Sequence, residues 1–592
     1  MTTRVLRLSA SQLISPFGPG AVVDVLGESF VTLTGENWPK RSLLEEVVCE
    51  RLSSRIGVQK LYRPPMRDDA ADPHALGIQV ARFPAWLFCQ TCRQMVRWGP
   101  KEENGVAPAC TSDGGRLVPM RFVVACRDRS HATDVPWREW VHRAPGVSTE
   151  CKEGPRLRFR QAANGSPGLS GLEVICDACD AARTLGDLRA DVLVRDGLRC
   201  HGVQPWEGTW KECDSPLEVL QRGATSFHYG ETTSAIDIPS MTRTEMTVEE
   251  RVSAHPLFLG LKESLHLPHA RALAEIIAAA LDITADVVEA IASEAAVGGI
   301  RATPGVRAGL LAEEFAAFEA ANRDEADEVN FKTRKGGFEL HSVDPVERAL
   351  ANLFESIVLV DRLREVRASV SFSRYRPDAD PVPSVSAIPN EASWLPAIEG
   401  FGEGIFLRVS ERAVNEWLLD PGVQARAGLL EMKAIQSRFA ARLHNFSAQF
   451  VALHSLAHAL LRELAFTSGY TAASLRERVY CGEGGNYGVF IYTTSSDEEG
   501  TLGGLVREGE HDRIGTAIAR AIAQLNWCSN DPVCAESDPH NLDGLNLAAC
   551  HSCLLASETS CEGSNVLLDR VLLVGDEHTR GLLVPVLDAI TG

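Results

Sequence analysis

Val174-Ile175-Cys176-Asp177-Ala178-Cys179 is the stretch on which the reading of this chain turns. A strand-like Val174-Ile175 runs into a Cys-x2-Cys knuckle, a spacing that lets two sulfurs face one ion. Cys200, in the turn-like Cys200-His201-Gly202, and Cys213 supply two more thiols, enough for a tetrahedral zinc shell. His201 reads as a solvated neighbour. A second knuckle, Cys550-His551-Ser552-Cys553, lies in a C-terminal group with Cys528, Cys534 and Cys561. Five sulfurs exceed the four a structural site needs, so the expected set is Cys534, Cys550, Cys553 and Cys561, with Cys528 as a spare or substitute. A third knuckle, Cys89-Gln90-Thr91-Cys92, has Cys110 as third ligand. Its fourth ligand stays open among Asp113, Cys126, His131 and Cys151. Four protein donors leave no coordination position for water, so such sites hold structure and do not hydrolyse. The spacings do not match the compact cysteine runs of iron–sulfur proteins. Cys49 and Cys481 have no partner in sequence and read as buried thiols. Two or three structural Zn2+ ions are expected.

Around these clusters, 592 residues are enough for three or four domains. The expected fold is α+β and multi-domain. Zinc-ribbon-like four-cysteine modules sit in an N-terminal β-rich part, a helical part follows, and a C-terminal α/β part carries another four-cysteine zinc site. The segments read as 1–75, an N-terminal segment; 76–240, the zinc-binding β-rich domain; 241–375, helical; 376–470, a linker rich in Pro, Ser and Ala over 375–397 plus a helical region; and 471–592, the C-terminal zinc domain. Helices are expected over 270–280, 285–296 and 513–525, with one long or two broken helices over 431–466, and a strand over 487–493. No apolar leader opens the chain and no apolar run could span a bilayer, so a cytoplasmic location is expected. In that reducing compartment, paired cysteines read as metal ligands before disulfides.

Several tempting motifs fail. Asp324-Glu325-Ala326-Asp327 spells a helicase box, but it lies in a polar, helical-looking stretch, and no Gly-Lys-Ser/Thr phosphate loop occurs anywhere. Gly18-Pro19-Gly20 reads as a turn. His454-Ser455-Leu456-Ala457-His458 puts two imidazoles on one helix face, but serine stands where a zinc protease needs its glutamate base, so packing is the better reading. A net charge of −20 excludes a generally basic nucleic-acid coat. One local basic strip remains: Arg121, Arg127, Arg129, Arg138, Arg143, Arg156 and Arg158, interleaved with Trp137 and Trp140. Cations with aromatics are what a phosphate backbone with stacked bases requires, and these arginines are the candidate DNA contacts.

The chain also resembles the DrmB family of the DISARM anti-phage defence system. The resemblance rests on Leu13-Ile14-Ser15-Pro16-Phe17-Gly18-Pro19-Gly20-Ala21, on the strand ending at Cys126 with Pro136-Trp137 after it, and on the Cys176 knuckle. It extends through Trp394-Leu395-Pro396 and Gly402-Glu403-Gly404-Ile405-Phe406. Its most specific part is the tail, with Cys550, Cys553, Glu558, Cys561, Asn565 and Leu568-Asp569-Arg570. From about His454 onward the chain is similar to a four-cysteine domain found at the C-terminus of some superfamily-two DNA helicases. Two departures touch the first metal site. A Gly-His pair is replaced by Arg127-Asp128-Arg129-Ser130-His131, and Asp113 stands where a second Cys-x2-Cys near Cys110 would end. The resemblance implies a non-catalytic subunit that pairs as a heterodimer with DrmA, a helicase-like ATPase, and engages DNA through that complex. The alternatives are an independent zinc hydrolase or nuclease using His454, His458 and nearby carboxylates such as Glu463, or a protein-interaction scaffold that does not touch DNA.

Overall fold

A computed structural model describes residues 8–40, 43–65, 77–144, 151, 154, 156–163, 165, 167–239, 248–253, 255–267, 269–297, 304–338, 342–374, 385–386, 394–437, 443, 445–482, 484–495, 503–557 and 559–592. The chain divides into two compact units, each assembled from separated stretches. One takes residues 1–48, 58–233 and 368–398; the other takes 49–57, 234–367 and 399–592. The fold is α+β, with a β-rich N-terminal part.

The first unit is built from short antiparallel sheets. Trp86–Cys89 pairs with Met95–Arg97 and Leu117–Pro119; Phe122–Cys126 pairs with Ala132–Asp134 and Leu217–Gln221; Leu172–Cys176 pairs with Leu157–Gln161 and Ala182–Thr184. In each sheet the central strand ends on a cysteine, Cys89, Cys126 or Cys176, which delivers a thiol to the turn that follows. Strands this short bury little apolar surface, so small modules of this kind need staples. A core of Trp86, Phe122, Trp137, Trp140, Leu157 and Val174 fills the space between them.

The opening motif has a structural job in this unit. Gly20 is left-handed at φ +81°, and a Cβ there would stand 2.3 Å from the Phe372 ring. Its carbonyl accepts from the Arg374 guanidinium at 2.7 Å, and the Phe227 carbonyl accepts at 2.6 Å. Arg374 is buried against the rings of Trp206, Phe227 and Phe372, so its charge is carried by π faces and carbonyls. Burial pulls its pKa down to about 9. Gly18-Pro19-Gly20 is thus a turn, as its sequence suggests.

In the second unit a sheet runs in the order Phe331–Gly336, 354–367, 399–409, Asn486–Ser495, Leu475–Gly482. Side chains alternate across it. Ile405, Leu407, Val489 and Ile491 face a core built on helix Ala448–Ser468, while Phe406, Phe490 and Tyr492 face Phe315 and Phe318 of helix Pro304–Arg323. Ser447 caps the first of these helices by accepting from Phe450 N, and Gly469 ends it in the left-handed region.

Some expectations change here. The stretch 241–375 holds the helices Ala270–Leu281 and Ala285–Val297, but also the long strand Phe354–Ser373. With both faces covered, that strand reads as a continuous apolar run over Ile357 to Val360, a pattern periodicity does not separate from helix. The region 431–466 is two helices, Pro421–Gln436 and Ala448–Ser468. Asp324 to Asp327 lie where helix Pro304–Arg323 has ended and a short strand begins. Of the linker at 375–397, residues 375–384 and 387–393 lie outside the described residues, and Trp394 already starts a strand. No helix among the described residues is long and apolar enough to cross a membrane.

Candidate metal centres

Among the described residues four thiol-rich clusters form, and the structure groups the candidate donors differently from the sequence order. Cys176 and Cys179 do not share a site with Cys200 and Cys213. They meet Cys151 and His142 instead, while Cys200 and Cys213 meet Cys126 and His131. The reason is topological: in these two centres the turn after one strand meets cysteines and a histidine that the fold brings alongside it. Leu217–Gln221, just after Cys213, pairs with Phe122–Cys126, and so draws Cys213 to Cys126.

In the first of these centres Cys151 Sγ and Cys176 Sγ are 3.8 Å apart, and Cys179 Sγ is 3.3 Å from His142 Nε2. His142 Nδ1 lies 2.6 Å from the Arg138 carbonyl, which can only accept; this fixes Nδ1 as the protonated nitrogen and leaves Nε2 free to ligate. In the other, Cys126 Sγ lies 3.8 Å from Cys213 Sγ, and Cys200 Sγ lies 3.5 Å from His131 Nδ1. In the third group the residue that meets Cys89, Cys92 and Cys110 is Asp113, one of the four candidates for the open fourth position. Cys92 Sγ is 3.6 Å from Cys110 Sγ, and Cys89 Sγ is 3.3 Å from Asp113 Oδ1. The Gly115 N–H, with help from the neighbouring thiols, holds the Asp113 carboxyl down at about 2, so it is an anionic donor at neutral pH. The fourth centre groups Cys528, Cys534, Cys550 and Cys553. Cys528 is therefore a full member, and Cys561 lies elsewhere, with His454, His458 and Glu477.

The donor sets fit Zn2+. Four ligands at a Zn–S length of about 2.3 Å put tetrahedral S···S edges at about 3.8 Å. The observed edges at the C-terminal centre are 3.5 Å for Cys528–Cys550 and 3.7 Å for both Cys534–Cys553 and Cys550–Cys553. These are far too long for a disulfide at about 2.05 Å. Backbone N–H groups also donate to the sulfurs: Thr91 to Cys89, Gly202 to Cys200, Asn530 to Cys528 and Cys550 to Cys553, at 3.2 to 3.5 Å. Such bonds stabilise thiolates. Where thiols crowd without a cation they cannot all ionise: the Cys126–Cys200 hydrogen bond drives Cys126 down to about 3 and Cys200 strongly upward. A divalent ion relieves that conflict. Gly115 is a tight point of the Asp113 centre, because a Cβ there would stand 2.7 Å from Cys89 Sγ and 3.0 Å from Asp113 Oδ1. Gly115→Ala is expected to cost this centre its zinc while the other clusters keep theirs, measured as metal content per chain.

His142, at the end of helix Trp137–His142, was missed by spacing. It lies 34 residues before Cys176 with only Cys151 between, and no local motif marks it. His201 is exposed and outside every cluster. Cys49 is buried, and Cys481 is half-buried beside Ser447.

The basic strip changes more. Trp137 and Trp140 are both 0% exposed and pack edge to face in the core, so neither can stack on a base. Arg127 is paired to Glu218 at 2.8 Å and Arg158 to Asp177 at 2.7 Å. Arg121 donates to Gln221, Arg143 to the Asp196 carbonyl, and Arg138 lies over the Trp86 ring. Arg129, Arg138, Arg143 and Arg156 have exposed side chains. Glu463 accepts from Gln524 at 3.0 Å and is not among the residues grouped with His454 and His458; the carboxylate beside those histidines is Glu477.

The fold and its centres define a zinc-stapled protein in which each thiol-rich cluster has four protein donors. Residues 9–229 match a family described as a domain of unknown function, DUF8724. Residues 456–554 match the MrfA Zn-binding domain, a span that contains Cys528, Cys534, Cys550 and Cys553. The chain is 31% identical over 487 residues to the DISARM protein DrmB of Bacillus paralicheniformis, covering 79% of this chain and 82% of that protein. The chain belongs to the DrmB family.

Proposed function

We propose that this chain is a non-catalytic, zinc-braced subunit of a DISARM phage-defence complex, that it pairs in the cytoplasm with a helicase-like ATPase of the DrmA type, and that it adds phosphate contacts to DNA bound by the pair. The carrying observation is the grouping of donor atoms in the thiol-rich clusters. Each of the four has four protein donors, which suits bracing and leaves no vacant position for a substrate. Family membership supports the defence setting. A chain without a phosphate loop needs its energy from a partner.

The DNA contribution rests on the exposed Arg129, Arg138, Arg143 and Arg156. With the tryptophans in the core, the contact is to phosphates and is sequence-independent. Co-expression with the helicase-like partner should give a stable complex whose ATP turnover is absent from this chain alone. Turnover by the pure chain would overturn the reading. Charge reversal at Arg129, Arg138 and Arg156 together should weaken DNA binding by the complex and flatten its salt dependence by roughly one log–log unit per lost phosphate contact. An unchanged salt slope would favour the scaffold that does not touch DNA.

A further inference from the structure

A fifth group of donors lies in the second unit, apart from the thiol-rich centres. His454 and His458 stand one turn apart on helix Ala448–Ser468, Glu477 comes from strand Leu475–Gly482, and Cys561 comes from the C-terminal loop. The four are 1%, 0%, 2% and 7% exposed. We propose that these two histidines, the glutamate and the cysteine form a buried zinc site.

Four observations carry this. First, each imidazole is oriented from behind. His454 Nδ1 is 3.3 Å from the Leu567 carbonyl and His458 Nδ1 is 2.8 Å from the Leu554 carbonyl. A carbonyl only accepts, so both Nδ1 atoms carry the proton and both Nε2 lone pairs face the centre. Second, the edges match. His454 Nε2 lies 2.9 Å from Glu477 Oε1 and 3.3 Å from Cys561 Sγ, and His458 Nε2 lies 3.4 Å from Glu477 Oε1. Zinc bond lengths predict N···O edges of about 3.3 Å and N···S edges of about 3.6 Å. Third, His458 Nε2 and Glu477 Oε2 are buried without a hydrogen bond. Lone pairs left unsatisfied in a dry interior are costly, and an ion between them removes the cost. Fourth, the sulfur is prepared as a thiolate ligand, since Asn565 N donates to Cys561 Sγ at 3.3 Å. Gly563 keeps the space open: a Cβ there would stand 3.1 Å from His454 Cε1.

Charge selects the ion. Two neutral imidazoles, one carboxylate and one thiolate carry two negative charges, so a divalent cation makes the buried assembly neutral. The mixed nitrogen, oxygen and sulfur set suits zinc. His454 and Glu477 also line a cavity of about 180 Å³ with Arg307, Glu562 and Gly563, which gives the ion an approach. The site ties the central helix and the edge strand to the C-terminal loop, 107 residues beyond His454.

Zinc content of the full chain tests this. Cys561→Ala and His458→Gln should each lose one equivalent relative to the parent, with the thiol-rich clusters still filled. Unchanged zinc in both variants would overturn the site. If either variant fails to fold, 113Cd NMR of the unaltered, cadmium-loaded chain decides. A resonance well upfield of those from the thiol-rich centres is expected from a ligand set with one sulfur, and its absence overturns the proposal. Loss of the thiol-centre resonances instead would count against the four structural centres and leave this one separately readable.

Discussion

Cys550→Ala should unfold the C-terminal zinc region, with collapse of the cooperative thermal transition and loss of soluble full-length chain. Cys550 bridges the centre, touching Cys528 at 3.5 Å and Cys553 at 3.7 Å. The loop carrying it also orders its surroundings: Leu554 and Leu555 N–H groups both donate to the Cys550 carbonyl. Structural zinc contributes about 10–16 kcal/mol of apparent binding free energy in small domains, against a total domain stability of about 5–15 kcal/mol. One lost thiolate therefore removes a term as large as the whole margin. A strong chelator should reproduce the effect in the unaltered protein, and re-addition of zinc should reverse it. Circular dichroism melts with and without chelator make the measurement. A melting temperature unmoved by stripping would show that these sulfurs do not brace the fold.

Glu314→Ala should destabilise the second unit by about 3–5 kcal/mol, the usual cost of orphaning buried charge. Glu314 is fully buried and serves several partners. Arg478 donates to both carboxylate oxygens at 2.7 and 2.8 Å, Arg51 donates at 3.1 Å, Tyr480 at 3.2 Å and the Ile236 N–H at 3.0 Å. Removing it leaves Arg478 with Glu365 as its nearest remaining carboxylate, at 3.1 Å. Urea unfolding followed by tryptophan fluorescence reads the loss, and a change under about 1 kcal/mol would show the network to be dispensable.

The same network sets the acid limb of stability. Burial alone would raise the Glu365 carboxyl, but Arg367 and Arg478 outweigh it and hold it at about 2. Glu314 is also held below its ordinary value, because Arg478 and Arg51 outweigh its burial. A depressed carboxyl contributes stability that is fully present above the unfolded-state value near 4.5 and is lost as pH falls toward the folded-state value. Stability should therefore decline between about pH 5 and pH 2, and the decline should be shallower in Glu314→Ala.

Several features were legible in the residues alone. Knuckles such as Cys89-x2-Cys92, Cys176-x2-Cys179 and Cys550-x2-Cys553 announce metal because two sulfurs three residues apart converge whatever the rest of the chain does. The helices at 270–281 and 285–297 were readable from local propensity, and the strand at 486–495 from its β-branched and aromatic run. Membership of the DrmB family was readable from motifs spread along the chain.

Only tertiary structure decided which candidate donors lie together. Cys213 is carried to Cys126 by strand pairing, His142 is delivered by a short helix, and Cys561 goes to the histidines on Ala448–Ser468, leaving its place to Cys528. Tertiary packing also took Trp137 and Trp140 out of any binding surface. The physical reason is common to all of these. A knuckle is fixed by covalent geometry over a few residues of chain, whereas the second half of a tetrahedron is supplied by whichever segment the folded core brings within a few ångströms, and sequence distance carries no record of that.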